Sequence, residues 1–178
     1  MSDWKLISEA TASGAASVEF TDLTGFKIFK FVLIDVNPAT DDVKFSVQFN
    51  VAGQSGFNET ITTTAFRVHH DEADTETGLA YQTGGDQAQG TAYQVITDAI
   101  GNGSDESGAG ELFLFNPSST TYVTHFYSTT TILQADNSAR QYFVSGYVGA
   151  TGAVDEVSFK MASGNLDAVI KAYGLVAT

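Results

Sequence analysis

Residues 26–51 constrain the fold more than any other segment of this 178-residue chain. From Val43 to Val51, Val and Phe alternate without exception with polar residues. Successive side chains of a β-strand point to opposite faces, so this pattern predicts a strand with one face in a core and the other in water. Residues 26–36 are largely apolar at both odd and even positions, which is typical of a central strand that is covered on both sides.

The six residues between these two strands carry the signals of a turn. Residues 37–42 read NPATDD. Pro38 has a fixed φ and no backbone donor, and the side chains of Asn and Asp form hydrogen bonds with nearby backbone groups. Residues 26–51 are therefore predicted to form one long β-hairpin whose core face consists mainly of Phe and Val, and the other strands are expected to pack on it.

The rest of the chain is a succession of short strand candidates separated by turn signals. Phase-shifted apolar residues in 60–68, namely Ile61 and then Phe66 and Val68, predict a β-bulge. Residues 91–100 alternate weakly, so a helical turn within 88–100 remains an alternative there. No segment has a sustained helical period with caps. The other strand candidates are residues 4–7, 16–20, 79–81, 111–115, 121–133, 140–148, 154–161 and 166–176. This pattern predicts a single all-β domain over residues 1–178, an antiparallel sandwich or barrel.

Charge and composition exclude several classes of partner and chemistry. The chain has 8 Lys and Arg against 21 Asp and Glu, a formal net charge of −13. Such a chain is not expected to bind nucleic acid or an anionic membrane, because both are polyanionic. It has no cysteine, which excludes disulfides and thiolate chemistry. The N-terminal residues lack the basic and apolar regions of a signal peptide, so synthesis in the cytosol without a standard export signal is expected.

Potential metal ligands are concentrated in one acidic segment, at His69, His70, Asp71, Asp74 and Glu76. Adjacent histidines of a strand point to opposite faces and chelate poorly together. The Glu72-x-Asp74-x-Glu76 spacing resembles the start of a calcium loop. However, Thr77 stands where that loop needs Gly, and Thr83 where it needs its last Glu. A solvated loop is therefore predicted over residues 71–76, with calcium binding as the alternative, and no metal or cofactor is assigned.

No catalytic constellation is recognisable, so no catalytic residue is assigned and the chain is not expected to be an enzyme. His125 lies in a strand candidate and is expected to be partly buried there. No Gly-x-Ser-x-Gly elbow, dinucleotide loop or phosphate loop is present. Aromatic rings and phenol hydroxyls suit saccharides, so a sugar-stacking platform is one alternative, although core or interface packing is the commoner fate of strand tyrosines. Its candidates are Tyr81, Tyr93, Tyr122 and Tyr127.

The order of segments resembles a family of β-sandwich modules in the structural proteins of tailed bacteriophages. The resemblance lies in Trp4-Lys5-Leu6-Ile7-Ser8, the small residues 11–18 before Phe20-Thr21-Asp22-Leu23, the strand and proline turn of 26–38, and the ending from Ser163-Gly164-Asn165-Leu166 to Ile170-Lys171-Ala172-Tyr173-Gly174-Leu175. It implies a jelly-roll sandwich that forms trimers or other cyclic oligomers and is not an enzyme. The implied location is the virion, after assembly in the host cytoplasm.

These features predict a structural protein on the particle surface, either a capsid decoration (cement) protein or a small fibre or knob subunit. Its expected partners are copies of itself and the major capsid or tail proteins. Candidate subunit contacts are Trp4, Val169, Tyr173 and Leu175, with closure of the domain core as the alternative. The second hypothesis is a module that binds carbohydrate or a host receptor, such as a host glycan, through the exposed loops 71–78 and 101–110, of which the Gly-rich second is expected to be the most flexible segment.

Overall fold

The computed structural model describes residues 3–176, which form twelve β-strands. In chain order these are β1 (Trp4–Ala15), β2 (Val18–Phe20), β3 (Ile28–Pro38), β4 (Val43–Val51), β5 (Ile61–Asp71), β6 (Thr77–Tyr81), β7 (Gln94–Ile100), β8 (Gly108–Phe115), β9 (Thr124–Leu133), β10 (Ser138–Val148), β11 (Val154–Met161) and β12 (Leu166–Leu175). The helical turn that the sequence allowed within residues 88–100 is absent there, since residues 94–100 are strand β7.

The strands form two antiparallel sheets, which confirms the prediction of an all-β antiparallel sandwich. The large sheet has the order β1-β12-β3-β8-β9-β10-β5-β6, and the small sheet has the order β2-β11-β4-β7. One cluster of buried apolar side chains lies between them. Phe31 of the large sheet meets Phe159 of the small sheet with ring centroids 5.5 Å apart, and Phe126 of the large sheet meets Phe49 of the small sheet at 4.9 Å. These Phe rings hold the two sheets together.

Eight of the twelve strands form two sets of four adjacent strands, in which strands from the start of the chain alternate with strands from its end. When β5, β6, β9 and β10 are set aside and the remaining strands are renumbered in chain order, the sheets read 1-8-3-6 and 2-7-4-5. Every link between consecutive strands of this set crosses between the sheets, except the link from β4 to β7. The four strands set aside all lie at one side of the large sheet, next to β8, and they widen it beyond the small sheet.

The predicted long hairpin is wrong. β3 pairs with β12 and β8, whereas β4 pairs with β11 and β7 in the other sheet. Residues 39–42 therefore carry the chain across the sandwich, with Asp42 at φ 55°. Alternation of residue types reveals which face of a strand is buried, but it does not reveal which strand lies beside it. Two strands facing each other across a core have the same pattern as a hairpin.

The polar face of β4 is also not in water. Ser46, Gln48 and Asn50 are at most 4% exposed. The Gln48 side-chain amide donates to the backbone carbonyls of Glu59, Thr91 and Ala92 at 3.0–3.1 Å. The loops before β5 and before β7 therefore cover this face, and their carbonyl groups accept hydrogen bonds from the buried Gln48 amide.

The bulge predicted in residues 60–68 is absent, because β5 pairs with β10 from Ile61 to Asp71 without a register shift. Phe66 is 41% exposed on the side of the sheet that faces away from the core. The apparent change of phase thus arises from apolar residues on the outward side of a regular strand. A register shift does occur in β3, between Leu33 and Val36, where Asp35 has φ 50°.

Candidate binding surface

The large sheet has one side that the small sheet does not cover, here called the outer face. Cross-strand partners share a face, so the pairing places Tyr173, Lys30, Phe113 and Tyr127 in one row across four adjacent strands of this face. Large apolar side chains on it are 37–70% exposed, namely Trp4, Leu6, Phe66, Leu79, Tyr81 and Tyr127. At the outward positions of β8, β9 and β10, Glu111 is the one carboxylate or ammonium group. The part of the outer face formed by β8, β9 and β10 is therefore rich in aromatic rings and poor in charge.

At its β1 end, the outer face has an aromatic patch, here called the Trp4 patch. The ring of Trp4 meets Phe113 edge-to-face, with centroids 5.9 Å apart. The Lys30 ammonium lies 4.7 Å from the centroid of Trp4 and 5.7 Å from that of Tyr173. Cation–π attraction holds the Lys30 ammonium against these rings, and Trp4 stays 37% exposed beside it. Leu6, opposite Tyr173, is 47% exposed and extends the patch.

The four residues predicted as subunit contacts lie together on the outer face. Val169, Tyr173 and Leu175 are half-buried outward positions of β12, and Trp4 lies opposite Leu175. The inward positions of β12 are the ones that enter the core, among them Ile170 and Ala172 with no exposed surface. The alternative, in which the four contact residues close the core, is therefore wrong.

Farther along the outer face, three adjacent strands form a three-by-three grid of outward side chains. Its middle row is Tyr127, Ser145 and Thr64, from β9, β10 and β5. His125, Tyr147 and Thr62 form the row on one side, and Thr129, Phe143 and Phe66 form the row on the other. The small side chains of Ser145 and Thr64 stand between larger neighbours, so the surface is concave there. The resulting depression of about 400 Å³, here called the Ser145 depression, is lined by His125, Tyr127, Ser145, Gly146, Tyr147 and Thr64 among others.

The Ser145 depression combines ring faces with polar groups. The hydroxyls of Thr64 and Ser145 lie 3.2 Å apart on its floor. The rings of His125 and Tyr147 meet at 6.1 Å, and Tyr127 stacks on Phe113 at 4.9 Å. Partial burial, followed by the charge of Glu111, raises the pKa of Tyr127 above its usual 10.0. The Tyr127 hydroxyl is therefore a hydrogen-bond donor at neutral pH.

The four tyrosines predicted as a sugar platform are not brought together. Tyr93 lies on the small-sheet side, donates to the Ser158 hydroxyl at 3.1 Å, and has Lys160 over its ring at 4.1 Å. Tyr81 lies on the edge strand β6 and donates to Asp86 at 2.6 Å, and Tyr122 belongs to the loop before β9. Only Tyr127 lines the Ser145 depression.

Sequence reasoning missed the partners of Tyr127. His125 is exposed on the outer face, and not partly buried as expected. Tyr147, Thr64 and Ser145 were not singled out, because they lie on two other strands and only the sheet register brings them together. The sequence contains one local signal of the depression. Within β10, the aromatic residues Phe143 and Tyr147 flank Ser145 on the same face of the strand.

Residues 72–76 of the acidic segment are exposed, as predicted, and form the hairpin turn between β5, which continues to Asp71, and β6, which begins at Thr77. The Asp71 carboxylate accepts hydrogen bonds from the Thr75 hydroxyl and from the backbone amides of Glu76 and Thr75. These bonds, the hydroxyl of Thr75 first among them, lower the pKa of Asp71 from 3.8 to about 2. Asp71 thus stabilises the turn. Within residues 3–176, no three His, Asp or Glu side chains are grouped to hold a metal ion.

The second predicted contact loop, residues 101–110, is partly built into the fold, which corrects the expectation of a wholly exposed segment. Gly101 and Gly108 are buried, and β8 already begins at Gly108. Glu106 folds back to accept the backbone amide of Gly103, and its own carbonyl accepts the Asn37 side-chain amide at 2.6 Å.

Beneath the outer face, a group of charged side chains joins the two sheets. Asp98 of β7 contacts Arg67 of β5 and Arg140 of β10, the latter at 2.8 Å. Arg140 also reaches Asp136 at 2.6 Å. Burial alone would raise the pKa of Asp98, but hydrogen bonds from Arg140 and Arg67 outweigh it and hold that pKa below its usual 3.8. This ionic group links β7, an edge strand of the small sheet, to β5 and β10, which are two strands of the Ser145 depression.

No protein-family model matches this sequence, and a search of curated proteins finds no similar sequence. In the part of the chain that the structure describes, no helix is long and apolar enough to cross a membrane. The outer face is thus characterised by its own geometry: exposed rings, few charges across β8, β9 and β10, and shallow depressions along β5, β9 and β10.

Proposed function

We propose that this protein is a non-catalytic structural subunit that assembles through the outer face of its large sheet, as part of the surface of a tailed-phage particle. The observation that carries the proposal is the Trp4 patch. Aromatic residues are enriched and charges are depleted at the centres of protein interfaces, and this patch joins exposed Trp4 and Leu6 to Tyr173 and Lys30. The virion setting rests on the sequence resemblance at both ends of the chain.

We further infer that the sandwich is a jelly roll with two insertions. The nested orders 1-8-3-6 and 2-7-4-5 support this, because two interleaved sheets of four strands are the plan of that fold. β5 with β6, and β9 with β10, are the insertions, and β5, β9 and β10 supply every lining residue of the Ser145 depression except Phe115 of β8. A rigid sandwich with an enlarged sheet suits a decoration, fibre or knob protein, whose work is to present a surface.

Cross-linking mass spectrometry with a lysine-reactive reagent on purified phage particles tests the proposal. Lys30 and Lys171 lie on the outer face, whereas Lys44 and Lys160 belong to the small sheet. We expect cross-links from Lys30 or Lys171 to the major capsid protein, a tail protein or a second copy, with Lys44 and Lys160 as internal controls. Absence of the chain from particles would contradict the virion setting, and contacts confined to Lys44 and Lys160 would contradict the role of the outer face.

A second candidate function, binding of carbohydrate or a host receptor, is favoured by the Ser145 depression. A concave, ring-lined surface with several hydroxyls is a general feature of small-molecule sites. Decoration and binding are compatible, because the Trp4 patch is centred on β1, β3 and β12 and the Ser145 depression on β5, β9 and β10. The two regions meet at β8, which supplies Phe113 to the patch and Phe115 to the depression.

A further inference from the structure

We propose that the Ser145 depression binds a neutral oligosaccharide. This inference rests on the second candidate function and gives it a site and a ligand class. The depression of about 400 Å³ adjoins a smaller one of about 180 Å³, and the two share Thr64, Tyr127 and Ser145. The larger has His125 and Tyr147 beside it, and the smaller has the stacked pair Phe66 and Phe143.

The lining selects the chemistry of the ligand. Aromatic rings pack on the apolar C–H faces of pyranose rings, while hydroxyl and imidazole groups form hydrogen bonds with sugar hydroxyls. His125, Tyr127 and Tyr147 offer both kinds of contact. Within residues 3–176, the aromatic partners of their rings are one another, Phe113 and Phe115, and their hydroxyl and imidazole groups make no hydrogen bond. Their polar edges therefore remain available to a bound molecule.

The charge of the site and of the protein both favour a neutral ligand. Neither depression is lined by a Lys, Arg, Asp or Glu side chain. The chain as a whole carries a formal net charge of −13, which repels anions at long range. Sialylated, sulfated and uronic-acid glycans are therefore disfavoured relative to neutral ones.

The extent of the site favours several sugar units over one. Along β10, Tyr147 and Phe143 are four residues apart, which corresponds to about 13 Å in a strand. The floor between them is formed by Ser145 and, on the neighbouring strand, Thr64. A chain of linked pyranoses placed across this floor would meet the Tyr147 ring at one end and the Phe66 and Phe143 pair at the other.

The test is saturation-transfer NMR on the full chain with four neutral probes: maltotriose, cellotriose, triacetylchitotriose and lactose. Sialyllactose and a heparin disaccharide serve as anionic counterparts. We expect transfer to at least one neutral probe and none to the anionic ones. No transfer to any neutral probe, or transfer to the anionic probes alone, would overturn the proposal.

Variants locate the site. Tyr147→Ala is expected to weaken binding of the active probe by about tenfold or more, as the loss of a central aromatic contact does. Tyr147→Phe keeps the ring, guards against a folding defect, and should retain most of the affinity. Tyr122→Ala removes a 73% exposed tyrosine outside the depression and should change nothing. Binding that is unaffected by Tyr147→Ala would overturn the assignment. Trp4→Ser should leave sugar binding intact while disturbing assembly. A failure of the sugar-binding proposal can therefore be distinguished from a failure of the assembly proposal.

Discussion

At the scale of single residues, Asp98 carries the most consequential charge. Its carboxylate is 8% exposed and lies between two guanidinium groups on the opposite sheet. Removal of one partner from a buried ion pair leaves the other charge desolvated and unpaired. We expect Asp98→Asn to lower the free energy of unfolding by about 2–4 kcal/mol, since Arg67 and Arg140 lose their common partner. Urea denaturation measures this.

The matched control is Asp74→Asn. Asp74 also pairs with a basic side chain, His70, at 3.2 Å, but its side chain is 87% exposed. An exposed pair contributes little, so the change in stability should stay within about 0.5 kcal/mol. Equal effects of the two substitutions would contradict a structural role for the buried ionic group.

The buried carboxylate of Asp98 also predicts how the stability of the protein depends on pH. The pKa of Asp98 is lowered from 3.8 in the folded protein. A carboxylate with a lowered pKa contributes stability that is complete above its unfolded pKa and is lost as the pH falls through its folded pKa. The difference in Tm between the wild type and Asp98→Asn should therefore be constant near neutral pH and shrink below 3.8. Because other acidic groups titrate in both proteins, the difference isolates Asp98. A difference that does not change on acidification would refute this.

At the scale of elements, local patterns located strands well and pairing poorly. Residues 154–161 were predicted as a strand and form β11 with the same ends, and residues 166–176 correspond to β12. Alternation and flanking turns are local properties, so one sequence suffices to reveal them. The separation of β3 from β4 depends on contacts with β12 and β11, more than a hundred residues later. No local pattern contains that information.

The buried polar face of β4 gives a prediction at this scale. Gln48 holds the carbonyls of Glu59, Thr91 and Ala92, which belong to two separate loops. Gln48→Ala would remove the donor to these three carbonyls, of which that of Ala92 keeps the Gln87 side-chain amide as a second donor, at a cost of about 1–3 kcal/mol. We expect faster hydrogen exchange in residues 54–61 and 87–93, with the strands of the large sheet unchanged.

Gln141→Ala is the corresponding control, because Gln141 is an exposed glutamine on the outer face of β10. It should leave exchange in both loops at the wild-type rate. If exchange rises throughout the protein in Gln48→Ala, the residue supports the whole sandwich and not these loops in particular.

At the scale of the whole molecule, the candidate surface was predictable only in part. Trp4 and Tyr173, the aromatic residues near the two ends of the chain, were predicted as subunit contacts from the sequence. The pairing of β1 with β12 brings them into one patch. The Ser145 depression depends on the register of three strands, β5, β9 and β10, that are up to about eighty residues apart in sequence. The tyrosines chosen by residue type alone were scattered over both sheets.

The distribution of charge predicts how the molecule associates. Copies with a net charge of −13 repel one another, while the outer face offers an apolar contact. Raising the ionic strength from about 0.01 M to about 0.15 M shortens the Debye length from about 30 Å to about 8 Å, which weakens the repulsion and leaves burial of the Trp4 patch nearly unchanged. We therefore expect association at micromolar concentration to increase with salt, with one discrete stoichiometry in sedimentation velocity.

Trp4→Ser is expected to abolish that salt-promoted association while leaving the Tm close to the wild-type value, because Trp4 is 37% exposed and lies outside the core. Tyr122→Ala, which removes an aromatic side chain from a loop, should associate as the wild type does. An interface held by ion pairs would respond in the opposite sense and dissociate as salt is added. A monomer at every salt concentration would mean that the outer face meets a different protein, and the lysine cross-links on particles would then identify it.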